Sequence, residues 1–176
     1  MSSDFGWLKN HIAEVPDFPR PGVDFKDITP LFADPDAFRF AVDALADHVA
    51  GDQVDYVVGI EARGFVTAAP VAYRLGAGLV VVRKEGKLPR VVERTLYALE
   101  YGDGVLEVHA DAIPSDSRVL IVDDVLATGG TAAAAVELVE RLGGVVVGLG
   151  FLAELAFLHG RDRLAGRDVT TLVTYE

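Results

Sequence analysis

Residues 119–131 read VLIVDDVLATGGT, a stretch that carries both a structural and a chemical signal. The apolar run that ends at Val122 is typical of a strand buried on both faces, and it leads into the carboxylates of Asp123 and Asp124. Adjacent carboxylates repel each other and are not needed for a turn, but they can bind vicinal hydroxyls or a magnesium-bound ligand. A loop of small residues then opens a helical pattern: Ala127, Thr128, Gly129, Gly130 and Thr131. Helix N-termini offer N–H groups and a favourable dipole, so this loop is predicted to bind phosphate.

The rest of the chain alternates short apolar runs with helical patterns. The sequence predicts strands at 56–60, 79–82, 118–122, 145–152 and 169–173, and helices at 65–75, at 132–142 and from Asp34 to near Gly51. This alternation is typical of an α/β protein with a central, mostly parallel sheet flanked by helices. Ligands of such sheets bind beyond the carboxyl ends of the strands, so the loops after Ile60, Val82 and Val122 are the predicted binding region.

Residues 93–109 do not fit this alternation. Tyr97, Leu99 and Tyr101 occur there together with Gly102 and Gly104, which suits neither a strand–helix pair nor a tight connection. The segment is predicted to form a long hairpin or lid. The sequence shows no internal repeat or interdomain linker, so we expect a single domain over residues 1–176.

The charge is acidic overall and basic in one place. The formal net charge of −11 argues against a nucleic-acid-binding protein, which needs a basic face. Between residues 63 and 94 the only acidic residues are Glu85 and Glu93, whereas seven of the 16 Lys and Arg residues lie there: Arg63, Arg74, Arg83, Lys84, Lys87, Arg90 and Arg94. Such a local concentration of cations can attract an anionic small ligand to an acidic protein.

The amino-acid composition also limits the possible catalytic chemistry and the possible cellular location of the protein. The sequence contains no cysteine, which excludes disulfides, thiolate metal sites and cysteine nucleophiles. Residues 1–19 include Asp4 and Glu14 and lack an apolar run long enough for a signal peptide or a membrane span. We therefore expect a cytoplasmic protein with no membrane partner.

The 119–131 stretch resembles the phosphoribosyl pyrophosphate signature of the type I phosphoribosyltransferases. The resemblance implies that family's fold, a central sheet with flanking helices, a small N-terminal hood and a flexible lid hairpin. It also implies that Asp123 and Asp124 hold the ribose hydroxyls and that the loop from Ala127 to Thr131 holds the 5′-phosphate.

Residues 16–30, which read PDFPRPGVDFKDITP, extend the resemblance to the adenine phosphoribosyltransferases. In that family this region caps the site, and the resemblance makes residues 1–33 a hood that binds the base. Phe25 would stack on the purine and the main chain of Asp24 would read its edge. Asp24 stands where an apolar residue is common in the family, and Lys26 stands where arginine is common.

Two further segments resemble the family's pyrophosphate-binding regions. The stretch EARGF at 61–65 follows a predicted strand, and Arg63 can make paired charge-assisted bonds to phosphate. The stretch VRKEGKLP at 82–89 resembles a basic strand end and loop, which implies substrate binding by Arg83, Lys84 and Lys87. In the family some of these cations approach the neighbouring subunit's site, so the resemblance implies a homodimer.

The stretch LEYG at 99–102 resembles the family's flexible catalytic loop, here assigned to residues 93–109. The resemblance implies that Glu100 manages the proton at purine N9 and adds Tyr101 to the substrate-binding residues. The expected reaction is purine salvage: the 5-phosphoribosyl group of phosphoribosyl pyrophosphate passes to adenine, giving AMP and pyrophosphate. Mg²⁺ is expected to arrive with the substrate, because no dedicated metal cage appears among the acidic residues and histidines.

Two alternatives remain at this point. One is a phosphoribosyltransferase for a 6-oxopurine or a pyrimidine, since the sequence does not display the hydrogen bonds that select the base. The other is a non-catalytic regulator of the same fold that senses the sugar phosphate. Some such regulators carry a DNA-binding domain, but only about fifty residues precede the first predicted strand, and they contain no basic recognition helix.

Overall fold

The computed structural model of the chain describes residues 5–49, 53–98 and 103–176. Its strands are β1 (Ala13–Val15), β2 (Phe25–Asp27), β3 (Tyr56–Ile60), β4 (Gly78–Lys84), β5 (Val92–Ala98), β6 (Asp103–His109), β7 (Arg118–Leu126), β8 (Val145–Leu155) and β9 (Val169–Tyr175). Its α-helices are α1 (Thr29–Ala33), α2 (Pro35–His48), α3 (Gly64–Leu75) and α4 (Gly130–Arg141). Short 3-10 helices cover Gly6–His11, Ala156–Leu158 and Gly160–Leu164.

Seven strands form the central sheet in the order β5-β6-β4-β3-β7-β8-β9. Strands β4, β3, β7, β8 and β9 are parallel to their neighbours in that order. Strands β5 and β6 pair antiparallel with each other, and β6 pairs antiparallel with β4 through Arg83 and Lys84. The prediction of a mostly parallel α/β sheet is confirmed, and β5 and β6, which include the described residues of the segment 93–109, form an antiparallel pair at its edge.

Hydrophobic cores lie on both faces of this sheet. Leu120 joins the cluster that contains Leu45 of α2 and Val71 of α3. Its neighbour Ile121 joins the opposite cluster with Leu138 of α4. Successive side chains of a strand point to opposite faces, so β7 must be apolar at every position between these two layers.

Two of the helices begin with different caps. The Asp34 side chain accepts hydrogen bonds from the N–H groups of Asp36 and Ala37, and Pro35 occupies the first turn of α2. Gly129 precedes α4 with a φ of 78°, which favours glycine. None of the helices in the described ranges is both long and apolar enough to cross a membrane.

Strand β7 extends four residues beyond the predicted end at Val122. Its pairing with β8 continues from Asp123 opposite Phe151 to Leu126 opposite Glu154. The predicted strand end was therefore wrong: the two carboxylates lie within a strand rather than after it. The ladder to β8 provides backbone partners that the sequence alone does not reveal.

The N-terminal segment forms a separate two-stranded antiparallel sheet, β1 with β2. The buried Nζ of Lys26 lies 2.8 Å from carboxylate oxygens of both Glu14 and Asp24. The same Nζ is 4.7 Å from the centre of the Tyr175 ring in β9. The lysine thus connects this small sheet to the last strand of the central one.

Candidate active site

A cavity of about 730 Å³ opens at the carboxyl ends of β3 and β4 and beside the end of β7. Eight of the predicted site residues line it: Asp24, Phe25, Arg63, Lys84, Asp123, Asp124, Ala127 and Thr131. A smaller pocket of about 70 Å³ is bordered by Thr128, Gly129 and Gly130 and shares Asp123, Ala127 and Thr131 with the cavity. Residues from four separate segments of the sequence are therefore brought together in one place.

The acidic pair is buried against an arginine. Asp123 and Asp124 are each 8% exposed, and the Asp124 N–H donates to Oδ1 of Asp123 at 2.9 Å. Oδ2 of Asp124 lies 2.7 Å from Nε of Arg63. That contact is an ion pair without the alignment of a hydrogen bond, and Oδ2 has no hydrogen-bond partner among the described residues. Burial, and next the charge of Asp124, raise the pKa of Asp123 well above its usual value.

The position after Arg63 has no room for a side chain and therefore requires glycine. A Cβ on Gly64 would lie 2.6 Å from Oδ1 of Asp123 and 3.2 Å from the Val122 carbonyl oxygen. Any larger residue would push the first turn of α3 away from β7. Gly64 therefore lets the loop after β3 approach the acidic pair closely enough for Arg63 to reach Asp124.

An aromatic group faces the same arginine. The guanidinium carbon of Arg63 lies 5.0 Å from the centre of the Phe25 ring, within the range of a cation–π contact. Phe18 meets Phe25 edge-on, with ring centres 5.2 Å apart. Phe25 is only half-buried, so this side of the cavity offers a flat apolar surface to a ligand.

The basic loop after β4 is organised by Glu61. The Glu61 carboxylate accepts hydrogen bonds from Arg83 Nε at 3.2 Å and from the Lys84 N–H at 3.0 Å, and it also pairs with Lys87 Nζ. Burial raises the pKa of Glu61, but the Lys87 and Lys84 hydrogen bonds and the nearby positive charges outweigh it, so the pKa lies below its usual value. Lys84 lines the cavity, whereas the side chains of Arg83 and Lys87 are directed to Glu61 beside it.

Several lining residues were not predicted as site residues. They are Gly22, Val23, Lys26, Glu61, Ala62, Tyr97, Leu106, Val125, Leu155, Phe157 and Leu158. Glu61 and Ala62 could have been found, because they belong to the quoted EARGF stretch. Leu155, Phe157 and Leu158 carried no such signal, since apolar residues at the end of a strand are usually core.

Two predicted residues cannot be placed. Glu100 and Tyr101 lie outside the described residues, between the ends of β5 and β6. Within the described ranges, no group of three or more His, Asp or Glu side chains is arranged to hold a metal ion. The oxygens of Asp123 and Asp124 in the cavity are nevertheless of the kind that Mg²⁺ prefers.

Comparison with known proteins identifies the family. The phosphoribosyl transferase domain matches residues 33–169. The adenine phosphoribosyltransferase of Thermobifida fusca is 57% identical over 175 residues, which cover 99% of each chain. That of Salinispora arenicola is 59% identical over 95% of this chain and 89% of its own.

Solved structures agree with this relationship. The adenine phosphoribosyltransferase of Thermoanaerobacter pseudethanolicus is 49% identical, with a TM-score of 0.94 over 97% of this chain and 99% of its own. The enzyme of Saccharomyces cerevisiae, solved with adenine and an imino-altritol bisphosphate, is 41% identical, with a TM-score of 0.91 over 98% and 99%. These relatives do not favour the alternatives of a different base or of a regulator. The cavity, its acidic pair and its small-residue loop thus lie in a chain that belongs to the adenine phosphoribosyltransferase family.

Proposed function

We propose that this cavity transfers the 5-phosphoribosyl group of phosphoribosyl pyrophosphate to adenine, releasing AMP and pyrophosphate in purine salvage. The observation that carries the proposal is the position of the acidic pair between a helix N-terminus and the Arg63–Phe25 contact. A ribose held by the carboxylates would have the phosphate loop on one side and an aromatic surface on the other. The sugar donor and the planar base can therefore be bound next to each other.

The sugar phosphate would be bound by β7 and the loop after it. Asp123 and Asp124 accept hydrogen bonds from the ribose hydroxyls, and charged acceptors make the stronger kind of hydrogen bond. The 5′-phosphate binds the loop from Ala127 to Thr131, where the N-terminus of α4 supplies N–H donors and a positive dipole end. The small pocket along this loop supports the assignment.

The base would be bound by the N-terminal sheet, which we assign with residues 1–33 to a hood within a single domain. Phe25 stacks on the purine, and the main chain of Asp24 reads its edge. Lys26 supports this role indirectly, because its ion pairs with Glu14 and Asp24 fix the strand that carries Phe25. The apolar side chains of Leu155 and Phe157 border the same cavity.

The pyrophosphate would be bound by Arg63 and the basic loop after β4. Lys84 already faces the cavity, and Arg83 and Lys87 are held beside it by Glu61. A pyrophosphate group offers these cations more negative charge than one carboxylate does. We therefore expect Arg83 and Lys87 to exchange part of their contact with Glu61 for the substrate, in this chain or in its partner.

The chemical step needs a group that handles the N9 proton of adenine. We assign this role to Glu100 and a supporting contact to Tyr101, both of which belong to the segment 93–109. A positioned carboxylate of this kind contributes about 10²–10⁴ in rate. Closure of residues 93–109 over the cavity would also exclude water, which could otherwise hydrolyse the activated sugar.

Mg²⁺ fits this site as a partner of the substrate. The carboxylates of Asp123 and Asp124 are hard oxygen donors, and Oδ2 of Asp124 has no hydrogen bond among the described residues. When bound with the donor, Mg²⁺ would neutralise charge on the pyrophosphate as it leaves. The two aspartates would orient the ribose hydroxyls and help to hold the ion.

We further propose that the protein is a cytoplasmic homodimer. Helix α3 exposes Val66 and Tyr73 on its surface, and Tyr73 is 90% exposed. Residues seven positions apart lie on the same face of a helix, so Val66 and Tyr73 give α3 an exposed apolar stripe for a partner subunit to cover. Sedimentation equilibrium should give twice the mass of the chain, and Tyr73→Glu should shift the protein toward monomer.

The activity is tested by supplying purified protein with phosphoribosyl pyrophosphate, Mg²⁺ and one radiolabelled base. Adenine should give AMP, whereas hypoxanthine, guanine and uracil should react far more slowly. An enzyme that prefers one of these three bases would overturn the assignment of the base. A protein that binds the donor but transforms none of the bases would overturn the assignment of an activity.

A further inference from the structure

The segment after β8 lies next to two parts of the proposed site, the cavity and the phosphate loop. Phe157 and Leu158 line the cavity. His159 then takes a left-handed conformation with a φ of 55°, and Gly160 starts the next 3-10 helix. Only His159 therefore separates the cavity-lining Leu158 from a backbone that reaches the phosphate loop.

Gly160 touches the phosphate loop through backbone atoms. A Cβ on Gly160 would lie 2.2 Å from the Ala127 carbonyl oxygen and 3.1 Å from the Gly129 nitrogen. In the other direction, a Cβ on Gly129 would lie 2.4 Å from the Gly160 carbonyl oxygen. Gly160 does not have a positive φ, so space rather than backbone conformation requires this glycine.

The turn that carries Gly160 is anchored to the sheet by a hydrogen-bond network around the buried carboxylate of Glu154. Nε of Arg161 lies 2.8 and 2.9 Å from the two carboxylate oxygens of Glu154, which is 5% exposed. The other Arg161 nitrogens donate to the Val169 carbonyl at 3.0 Å and to Oγ1 of Thr171 at 3.1 Å. Thr171 in turn donates to Glu154 at 3.0 Å. Strands β8 and β9 thus fix the position of Gly160 relative to the phosphate loop.

We propose that Gly160 is a positioning residue for the 5′-phosphate loop, held in place by Arg161. The inference rests on the proposed function, because it assumes that the loop from Ala127 to Thr131 binds the 5′-phosphate. Gly160 packs against the carbonyl of Ala127 and the amide of Gly129 and does not itself line the cavity or the small pocket. Phosphate binding depends on N–H groups aimed at one point, so a shift of the loop weakens it while other subsites keep their geometry.

The test compares two ligands that use different subsites. Ribose 5-phosphate needs the phosphate loop, whereas inorganic pyrophosphate needs Arg63 and the basic loop. In Gly160→Ala, calorimetry should show ribose 5-phosphate affinity lower by about 10- to 100-fold, as expected for a displacement of about 1 Å. Pyrophosphate affinity should stay close to that of the parent protein. The KM for phosphoribosyl pyrophosphate should rise more than kcat falls.

Gly148→Ala is the matched control. Gly148 is a buried glycine of β8, and a Cβ there would meet only ordinary contacts at 3.5 Å or more. This variant should bind both ligands as the parent does. Equal losses of both ligands in Gly160→Ala would indicate general unfolding and would contradict a positioning role.

Arg161→Lys provides the second test, which also applies if Gly160→Ala fails to fold. Lysine keeps a positive charge for Glu154 but cannot make the remaining bonds to Val169 and Thr171. Ribose 5-phosphate affinity should fall selectively, and unchanged affinity would overturn the inference. Failure of the parent protein to bind ribose 5-phosphate would instead refute the proposed function, so the two failures are distinguishable.

Discussion

Nε of Arg63 lies 2.7 Å from Oδ2 of Asp124, and this pair connects the loop after β3 to the acidic pair of β7. The same guanidinium faces Phe25 in the N-terminal sheet. Arg63 therefore contacts both the proposed ribose site and the proposed base site. Its own nitrogens remain close enough to the cavity to bind pyrophosphate.

Arg63→Lys should impair the use of both substrates. Lysine keeps the charge but loses the planar fork and the stacking surface, so kcat/KM should fall about 10- to 100-fold, the value of a hydrogen bond to a charged group. Steady-state kinetics with each substrate varied in turn would measure the change. Arg74→Lys is the control, because Arg74 pairs only with surface carboxylates of Asp43 and Asp47 in the described structure. A defect confined to adenine would contradict the connecting role.

Asp123→Asn and Asp124→Asn should each weaken the use of the sugar donor and leave the fold intact. Each change removes a charged acceptor at the ribose, so a loss of about 10- to 100-fold in kcat/KM for phosphoribosyl pyrophosphate is expected. Circular dichroism would verify the fold. Parental kinetics in both variants would refute the ribose assignment.

Asp123→Asn should also make the protein more stable at neutral pH. Burial and the Asp124 charge raise the pKa of Asp123 in the folded protein. The raised pKa means that protonated Asp123 stabilises the folded protein. This contribution to the unfolding free energy is complete below the pKa of an unfolded Asp, about 3.9, and is lost as pH rises through the pKa of the folded protein. Asparagine does not titrate, so the variant loses no stability in this way. In urea titrations, the unfolding free energy of Asp123→Asn should exceed that of the parent protein by an amount that grows with pH. A parent protein more stable than the variant at neutral pH would contradict this.

Removal of divalent ions should abolish turnover without unfolding the protein. The ion is expected to come with the donor, because Mg²⁺ usually binds through one or two carboxylates together with substrate phosphates. Activity and thermal melting measured with excess chelator would separate the two effects, and added Mg²⁺ should restore activity. A tightly bound ion that survives dialysis against chelator, with activity intact, would refute the prediction.

Glu100→Gln should lower the chemical rate and change donor affinity little. The amide keeps the size and the hydrogen-bonding capacity of the side chain but removes the carboxylate that exchanges a proton with N9. Single-turnover formation of AMP separates chemistry from product release, and a loss of about tenfold or more supports the proton role. An unchanged single-turnover rate would leave Glu100 as a lid residue.

The local patterns of this sequence were sufficient to predict most of the central sheet. The strand at 56–60 matches β3 at both ends, and the hairpin at the edge was expected from the break in alternation. Apolar runs are reliable here because strands buried on both faces are apolar at most positions. The end of β7 was missed because its last residues are ordered by pairing with β8, which is a tertiary effect.

The site was predictable where one segment carried several chemical groups together. Asp123, Asp124 and the small-residue loop are adjacent in sequence and also in space. Gly160 is 31 residues beyond Gly129 and carries no side chain, so no pattern could reveal that the two backbones touch. Glu61 could have been found as part of the EARGF stretch, but its partners could not, since they belong to the next strand and the loop after it.

Lys26 of the N-terminal sheet packs against Tyr175, so the proposed cover of the base site is held by β9, a strand synthesised well after the proposed phosphate loop. Ribosomes add roughly 5–20 residues per second, so roughly 2–9 s pass between the synthesis of Thr131 and that of Tyr175. The nascent chain therefore contains its phosphate loop for seconds before the purine side can be closed. Gly160 and the strand that fixes Arg161 are likewise synthesised after the proposed phosphate loop that they hold in place.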